Sequence, residues 1–229
     1  MLREITDELW VLEAPLRYLG VQMGRRMSVV RLASGGLWIH SPAPLDDELR
    51  DELDARGPVR FVVPASDLHG HLFMEQYRAA YPDARLFAAP GLAEKRRVLT
   101  FDGELGDSPD PGWAGDIDQA PLDGHRLSEF EFLHRSSGTL IAGDLIFNIG
   151  SDRSLLTRLF ANGPRVRRQV GPTPLFRRSV RDRQAVRRSI DRILKWDFDR
   201  VLPGHGDFID SGGHRAVEEG LGGWLAPVG

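Results

Sequence analysis

Seven histidines stand in a chain that has no cysteine: His40, His69, His71, His125, His134, His205 and His214. Five of them sit where an apolar run ends or a loop begins. His40 closes LWIH, His69 and His71 follow VRFVVP, His125 lies in LDGH, and His205 lies in LPGHG. Asp144 holds the same kind of position in LIAGD. A glycine before His or Asp lets the backbone turn sharply and approach a ligand closely. Loops at one end of a sheet are where a rigid scaffold presents polar groups. Taken singly, such a histidine is more often a hydrogen-bonded filler than a ligand. The series strand–Gly–His, strand–Gly–Asp, strand–Pro–Gly–His says more, because two imidazoles and a carboxylate suit zinc, manganese or iron. The lack of cysteine excludes disulfides, thiolate zinc sites, iron–sulfur clusters and a cysteine nucleophile. Any metal must be held by His, Asp, Glu or backbone oxygen.

The elements that would position these residues can be read from apolar spacing. Residues 9–12, 27–32 and 37–40 read as strands, and Gly35-Gly36 between the last two reads as a hairpin turn. In LDDELRDELDARG, Leu45, Leu49 and Leu53 recur every four residues behind Asp46 and Asp47, so the stretch reads as a helix ended by Gly57-Pro58. Residues 59–64 read as a buried strand, 72–81 as a helix stopped by Pro82, 85–88 as a strand and 91–98 as a helix. Strands are expected at 116–122, 128–134, 139–142 and 198–202, and helices at 181–196 and 214–221. Two β-rich halves, each followed by helices, favour a sheet sandwich covered by helices, an α/β fold.

Length and composition fit that picture. The 229 residues are 41% hydrophobic and 28% charged, which excludes a disordered chain, and no apolar run reaches the roughly 18 residues of a membrane span. The opening MLREITDELW has no apolar core of a signal peptide, so a cytoplasmic protein is expected. One domain over residues 1–229 is expected, with an Arg-rich insert at about 151–180. Between residues 151 and 192 stand twelve arginines against three acids, a local balance of +9 that leaves −12 for the rest. The general reading of such a run is a solvated face with ion pairs to the acidic remainder. Nucleic-acid binding is the weaker reading, because only Phe160 and Phe176 interleave with the arginines.

LDGHRLSEFEFLHRSSGTLIAGDLIF and VLPGHG resemble the Gly-His, Gly-Asp and closing Gly-His motifs of the metallo-β-lactamase superfamily, and the resemblance covers nearly the whole chain. It implies a four-layer αββα sandwich with the site at one edge of both sheets. It further implies His125 as a ligand of a first metal, Asp144 as a bridge between two metals, and His205 as a ligand of the second.

The departures are as informative. Where the superfamily carries HxHxDH, this chain has Pro64-Ala65-Ser66-Asp67-Leu68-His69-Gly70-His71. Aligned without gaps, Ala65 replaces the first His, Asp67 the second, His69 the Asp and Gly70 the last His. The earlier Asp of the superfamily is replaced by His40 in WIHSP. These features resemble an uncharacterised branch with similar W-hydrophobic-H-S-P and A-D-L-I-F-N segments. Asp67, His69 and His71 are spaced i, i+2, i+4, so an extended segment would point all three one way. Two outcomes follow: a metal site rebuilt from Asp67, His69 and His71, or a site that has lost one or both metals. His134, beside Arg135, and His214, after Gly212-Gly213, read as structural.

The function expected from all this is hydrolysis of an ester, lactone, thioester or phosphodiester through a metal-bound hydroxide. His125, Asp144, His205, His69 and His71 would supply metal ligands, and Asp67 or His40 would handle the proton. The cofactor is a divalent metal, zinc first, with manganese or iron as alternatives. The partner is a small, anionic substrate chosen by the Arg-rich insert, with no membrane and no nucleic acid. The rival is a non-catalytic member whose degenerate site holds no metal and binds an anion or a protein partner.

Overall fold

The computed structural model describes residues 1–18, 21–150, 155–162 and 170–225. Its strands are β1 (Arg3–Thr6), β2 (Leu9–Ala14), β3 (Arg17–Tyr18), β4 (Val21–Gln22), β5 (Arg25–Arg31), β6 (Leu37–His40), β7 (Val59–Val63), β8 (Arg85–Ala88), β9 (Gly103–Glu104), β10 (Ile117–Pro121), β11 (Phe130–His134), β12 (Thr139–Ile141), β13 (Phe147–Asn148), β14 (Val170–Gly171), β15 (Arg200–Leu202) and β16 (His205–Gly206). Its helices are α1 (Asp47–Asp54), α2 (Met74–Ala80), α3 (Leu92–Lys95), α4 (Leu155–Asn162), α5 (Pro174–Arg178), α6 (Arg183–Ile193) and α7 (Gly213–Leu225).

A seven-stranded sheet in the order β1-β2-β5-β6-β7-β8-β9 faces a four-stranded sheet in the order β10-β11-β12-β15. Period-two alternation assigns each strand residue to a layer. Val11, Val30, Trp38, Phe61 and Val63 of the first sheet meet Ile117, Phe130, Phe132, Ile141 and Leu202 of the second. The opposite parity of the first sheet, including Met27, Val29 and Ile39, packs on Leu49 and Leu53 of α1 and Met74 and Tyr77 of α2. The opposite parity of the second, including Leu133, Leu140 and Val201, packs on Val186, Ile190 and Ile193 of α6 and on Val217 and Leu221 of α7. Three apolar layers between four sheets of structure make this an αββα sandwich.

The helix starts follow local chemistry. Asp46 accepts from the Leu49 amide, so α1 begins at Asp47. Asp182 accepts from the Gln184 and Ala185 amides, so α6 begins at Arg183, two residues later than the apolar spacing suggests. The helix expected at 91–98 runs only over Leu92–Lys95, and the first strand, Arg3–Thr6, carries too little alternation to be read from sequence. Of the Arg-rich stretch at 151–180, residues 151–154 and 163–169 lie outside the described residues. The rest forms α4, β14 and α5, with β14 paired to β13.

One small element fixes the site. Strand β13 pairs β14 on one side and, in parallel, β16 on the other, with Phe147 opposite His205. This ties the chain after Asp144 directly to the loop that carries His205. Gly204 makes the approach possible, since a Cβ there would lie 2.5 Å from the Gly143 carbonyl oxygen.

Candidate metal centre

The ends of β6, β7, β12 and β15 deliver their loops to one rim of the sandwich. There they enclose a cavity of about 660 Å³ whose wall includes His69, His71, His125, Asp144 and His205. Among these, His69, Asp144 and His205 form the one cluster of potential metal-ligand side chains found among the described residues, with one ligand atom of each within 4.8 Å of the others.

The segment that delivers His69 is a turn rather than an extended run. The Ser66 hydroxyl accepts from the Leu68 and His69 amides, and the His69 carbonyl accepts from the Ala65 and Ser66 amides. Gly70 then turns at φ +82°, a conformation glycine adopts without strain. The i, i+2, i+4 spacing therefore does not align Asp67, His69 and His71. His69 turns to Asp144, with Nδ1 3.3 Å from Asp144 Oδ1. This nitrogen is buried without a hydrogen-bond partner. His205 reaches the same oxygen with Nε2 at 3.2 Å, and the two imidazoles stack at 4.9 Å between centroids.

The tautomer of His205 follows from its other side. Nδ1 lies 2.6 Å from the Gly24 carbonyl oxygen. A carbonyl can only accept, so Nδ1 carries a proton, and a ring holding that proton alone presents the Nε2 lone pair to Asp144. A lone pair facing a carboxylate oxygen at 3.2 Å calls for a cation between or beside them, a proton or a metal ion. Zinc bonds of about 2.0–2.1 Å at tetrahedral angles separate neighbouring ligand atoms by roughly 3.3–3.4 Å. The two distances to Asp144 match that spacing, and the orphaned His69 nitrogen supplies a third donor, so these residues fit a metal ion.

The electrostatics agree. Burial would raise the Asp144 pKa, but His69 and His205 hold it well below the usual carboxylate range. Burial would lower the His69 pKa, but Asp144 raises it above the ordinary value. Each group thus favours the charged form of the other.

Asp144 is aimed by a pair of acids that sequence reasoning passed over. Glu129 and Glu131 are fully buried. Glu129 accepts from the Leu145 amide at 2.6 Å and Glu131 from the Gly143 amide at 3.2 Å, so the two hold the amides on either side of Asp144. Each keeps one buried oxygen without a hydrogen-bond partner in the described structure. Burial raises the pKa of both, Glu131 to about 8. The signal was the EFEF run itself: Phe130 and Phe132 take the inter-sheet face, leaving two acids where an apolar face belongs.

The remaining site candidates lie outside this cluster. His125 stacks on Phe176 at 3.9 Å, donates from Nε2 to the Phe176 carbonyl at 3.0 Å and accepts at Nδ1 from the Leu127 amide at 3.1 Å. Asp67 accepts from Lys95 and from the Ser128 amide, and does not line the cavity. His71 lines the cavity and has Arg96 at 3.5 Å from Nδ1. Burial first, then Arg96 and Lys95, lower its pKa. His40 shares the inter-sheet face with Trp38, two residues before it. It stacks on Trp38 and meets the Phe132 ring edge-on, and burial with the charge of His69 pulls its pKa down to about 3. It lies outside the cavity lining, where Ser41 takes the place at the end of β6. His134 contacts Ser136 and Ser137, and His214 reaches the Leu194 carbonyl.

No helix among the described residues is long and apolar enough to cross a membrane. No curated protein matches the chain. Solved structures do, over nearly its full length. The metallo-β-lactamase from Pontibacter korlensis superposes with a TM-score of 0.68 at 14% identity, covering 99% of each chain. The metallo-β-lactamase FIM-1 from Pseudomonas aeruginosa, in its mono-zinc form, gives 0.65 at 13%, covering 99% of this chain and 96% of that one. The metal-soaked flavodiiron core Flv1 from Synechocystis gives 0.70 at 11%, covering 99% of this chain and 60% of that one. At such identities the likeness shows the fold, which is that of the metallo-β-lactamases. Residues 6–169 match the family model described as a domain of unknown function, DUF4336. The chain therefore belongs to the DUF4336 family, and it has the metallo-β-lactamase fold and a His-Asp-His cluster that could hold a metal ion.

Proposed function

We propose that this protein is a mononuclear metal-dependent hydrolase acting on an ester, lactone, thioester or phosphodiester of a small anionic substrate. The observation that carries the reading is the convergence of His69, Asp144 and His205, with two acceptor atoms brought to within 3.2 Å by His205 and Asp144. One divalent ion per chain, zinc in the first instance, would be held by these three side chains. When bound it supplies Lewis acidity toward a carbonyl or phosphoryl oxygen and acidifies water.

The chain's own residues do the rest. The Gly24 carbonyl fixes the His205 tautomer, and the Glu129–Glu131 pair fixes the backbone that carries Asp144. His71, kept neutral near pH 7 by burial and its cationic neighbours, faces the cavity and accepts the proton. Asp67 and His40, the acceptors the sequence suggested, serve as supports instead: Asp67 holds Lys95 and the Ser128 amide, and His40 fills the sandwich. Arg25 and Arg126 in the cavity wall favour a negative substrate.

The rival reading, an anion-binding member without catalysis, draws on the other half of the rim, where His125 and Asp67 are engaged by protein groups. Metal content decides between them. Purified, zinc-loaded protein is expected to carry about one zinc per chain. No zinc after loading would remove the hydrolase reading and leave the rival.

A further inference from the structure

The cavity beside the metal cluster has a character that the hydrolase reading does not explain. Among the described residues eight large apolar side chains are exposed, and six of these are leucines. Leu68, Leu72 and Leu175, at 61%, 60% and 52% exposure, all line this one cavity. Leu68 and Leu72 come from the loop after β7, and Leu175 from α5. The other three, Leu155, Leu156 and Leu159, lie on α4, which packs beside α5. Three exposed leucines thus stand together in one cavity wall, and such a concentration marks a binding site. Deeper in, Met23, Phe73 and Phe147 continue the apolar wall.

The charges in the same wall are one-sided. Asp144 is its one acid, and it is engaged by His69 and His205. Arg25 lies over the Phe73 ring at 4.7 Å, its Nε is buried without a hydrogen-bond partner, and it has no ion-pair partner among the described residues. Arg126 is exposed at the cavity and likewise has no carboxylate partner among the described residues. Arg26, by contrast, is tied to Glu13 and to the carbonyls of Pro203 and Gly206. Two guanidinium groups therefore remain for an occupant.

We infer that this cavity takes an amphipathic anion, a molecule with an unbranched apolar body seated along Leu68, Leu72 and Leu175 and a carboxylate or phosphate met by Arg25 and Arg126. The inference rests on the hydrolase reading for which bond is cut, but the binding itself does not require a metal. A medium-chain acyl compound has the chemistry in question: apolar length, one negative charge, and a carbonyl or phosphoryl centre for the metal side of the cavity.

The test is a calorimetric titration of the whole chain, with and without zinc, using butanoate, hexanoate and octanoate, with 1-octanol and octyltrimethylammonium as uncharged and cationic controls. Affinity for the carboxylates is expected to rise about fourfold per methylene. Octanoate is expected to bind at least about tenfold tighter than 1-octanol, and octyltrimethylammonium weakest of all. Arg126→Gln, at an exposed position where folding is not threatened, should bring octanoate down toward 1-octanol without changing 1-octanol; Arg25→Gln should do the same. Leu72→Asp combined with Leu175→Asp should flatten the length series. A flat series in the unmodified chain, or equal binding of octanoate and 1-octanol, would overturn the proposal. So would sedimentation showing a dimer that the leucine pair substitution dissociates while octanoate affinity stays the same, because a second copy would then be what covers the leucines. Zinc content, measured on the same samples, separates the two readings: length-dependent binding with no zinc uptake sinks the hydrolase alone, and zinc uptake with a flat series sinks the amphipathic anion alone.

Discussion

Two halves of one rim meet opposite fates in this molecule. In the half built from His69, Asp144 and His205, ligand atoms face each other with nothing from the protein between them. In the half built from Asp67 and His125, every ligand atom is taken: both His125 nitrogens by backbone groups, both Asp67 oxygens by Lys95 and the Ser128 amide. Residue type is the same on the two sides, imidazole and carboxylate. What differs is whether the fold has already supplied each lone pair with a donor. A metal site is thus defined by unsatisfied acceptors held in place, and in the second half those acceptors are satisfied by the protein. Ala65, buried on the same segment as Asp67, adds no ligand atom.

The largest effect should come from breaking the open half. Asp144→Asn and His69→Ala are each expected to take zinc content from about one per chain to none while circular dichroism stays native. His71→Ala should leave zinc content intact, because His71 lies outside the cluster. Retention of zinc by folded Asp144→Asn would erase the distinction between the halves. Protons compete for the same atoms, and Asp144 raises the His69 pKa, so zinc affinity should increase as pH rises through and above about 6.5. An affinity flat from pH 6 to 8 would remove His69 from the ligand set.

Next in size is the support beneath the open half. Glu129→Leu removes the acceptor for the Leu145 amide, and second-layer losses of this kind typically cost about 10- to 100-fold in metal affinity. The pair also makes a stability prediction with a definite sign. Both carboxyls have folded pKa values raised from the ordinary 4.5, Glu131 to about 8, so the folded chain keeps protons that the unfolded chain releases. The stability this pair contributes is then fully present below about pH 4.5 and is lost as pH rises toward 8. The melting temperature should fall over that interval, and Glu131→Gln should flatten the fall. A melting temperature that rises from pH 5 to 8 in the native chain and is unaffected by Glu131→Gln would show that burial does not raise the pKa of these acids.

Much of this was legible in the sequence, and the limits have physical causes. The three Gly-flanked motifs gave the order of layers and the placement of Asp144 and His205, because apolar alternation and glycine turns are local signals. The fate of His40 was legible too, had the strand parity with Trp38 been followed into the sandwich. The engagement of Asp67 and His125 by protein groups was not, since it depends on Lys95 and Phe176, which lie 28 and 51 residues away. The turn that separates His69 from Asp67 hinges on a single Ser66 hydroxyl, which breaks the alternation assumed for an extended segment. The Glu129–Glu131 pair shows only in three dimensions that it embraces Asp144.

The smallest expected effect comes from trying to reopen the closed half. Lys95→Ala removes the cation on Asp67, leaving one carboxylate oxygen without its partner. Lys95 is half exposed, so its ion pair contributes about 0–1 kcal/mol, and the melting temperature should move little. Zinc content should stay at about one per chain. Asp67 alone cannot hold a second ion: Ala65 offers no ligand, and His125 remains pinned to Phe176 by its stack and its Nε2 hydrogen bond. Adding His125→Ala costs that stack and two hydrogen bonds, on the order of 1–3 kcal/mol, again with zinc content unchanged. If Lys95→Ala instead carries two zinc ions per chain, Lys95 is a plug in an intact second site. The contrast between the halves would then rest on one side chain rather than on the fold.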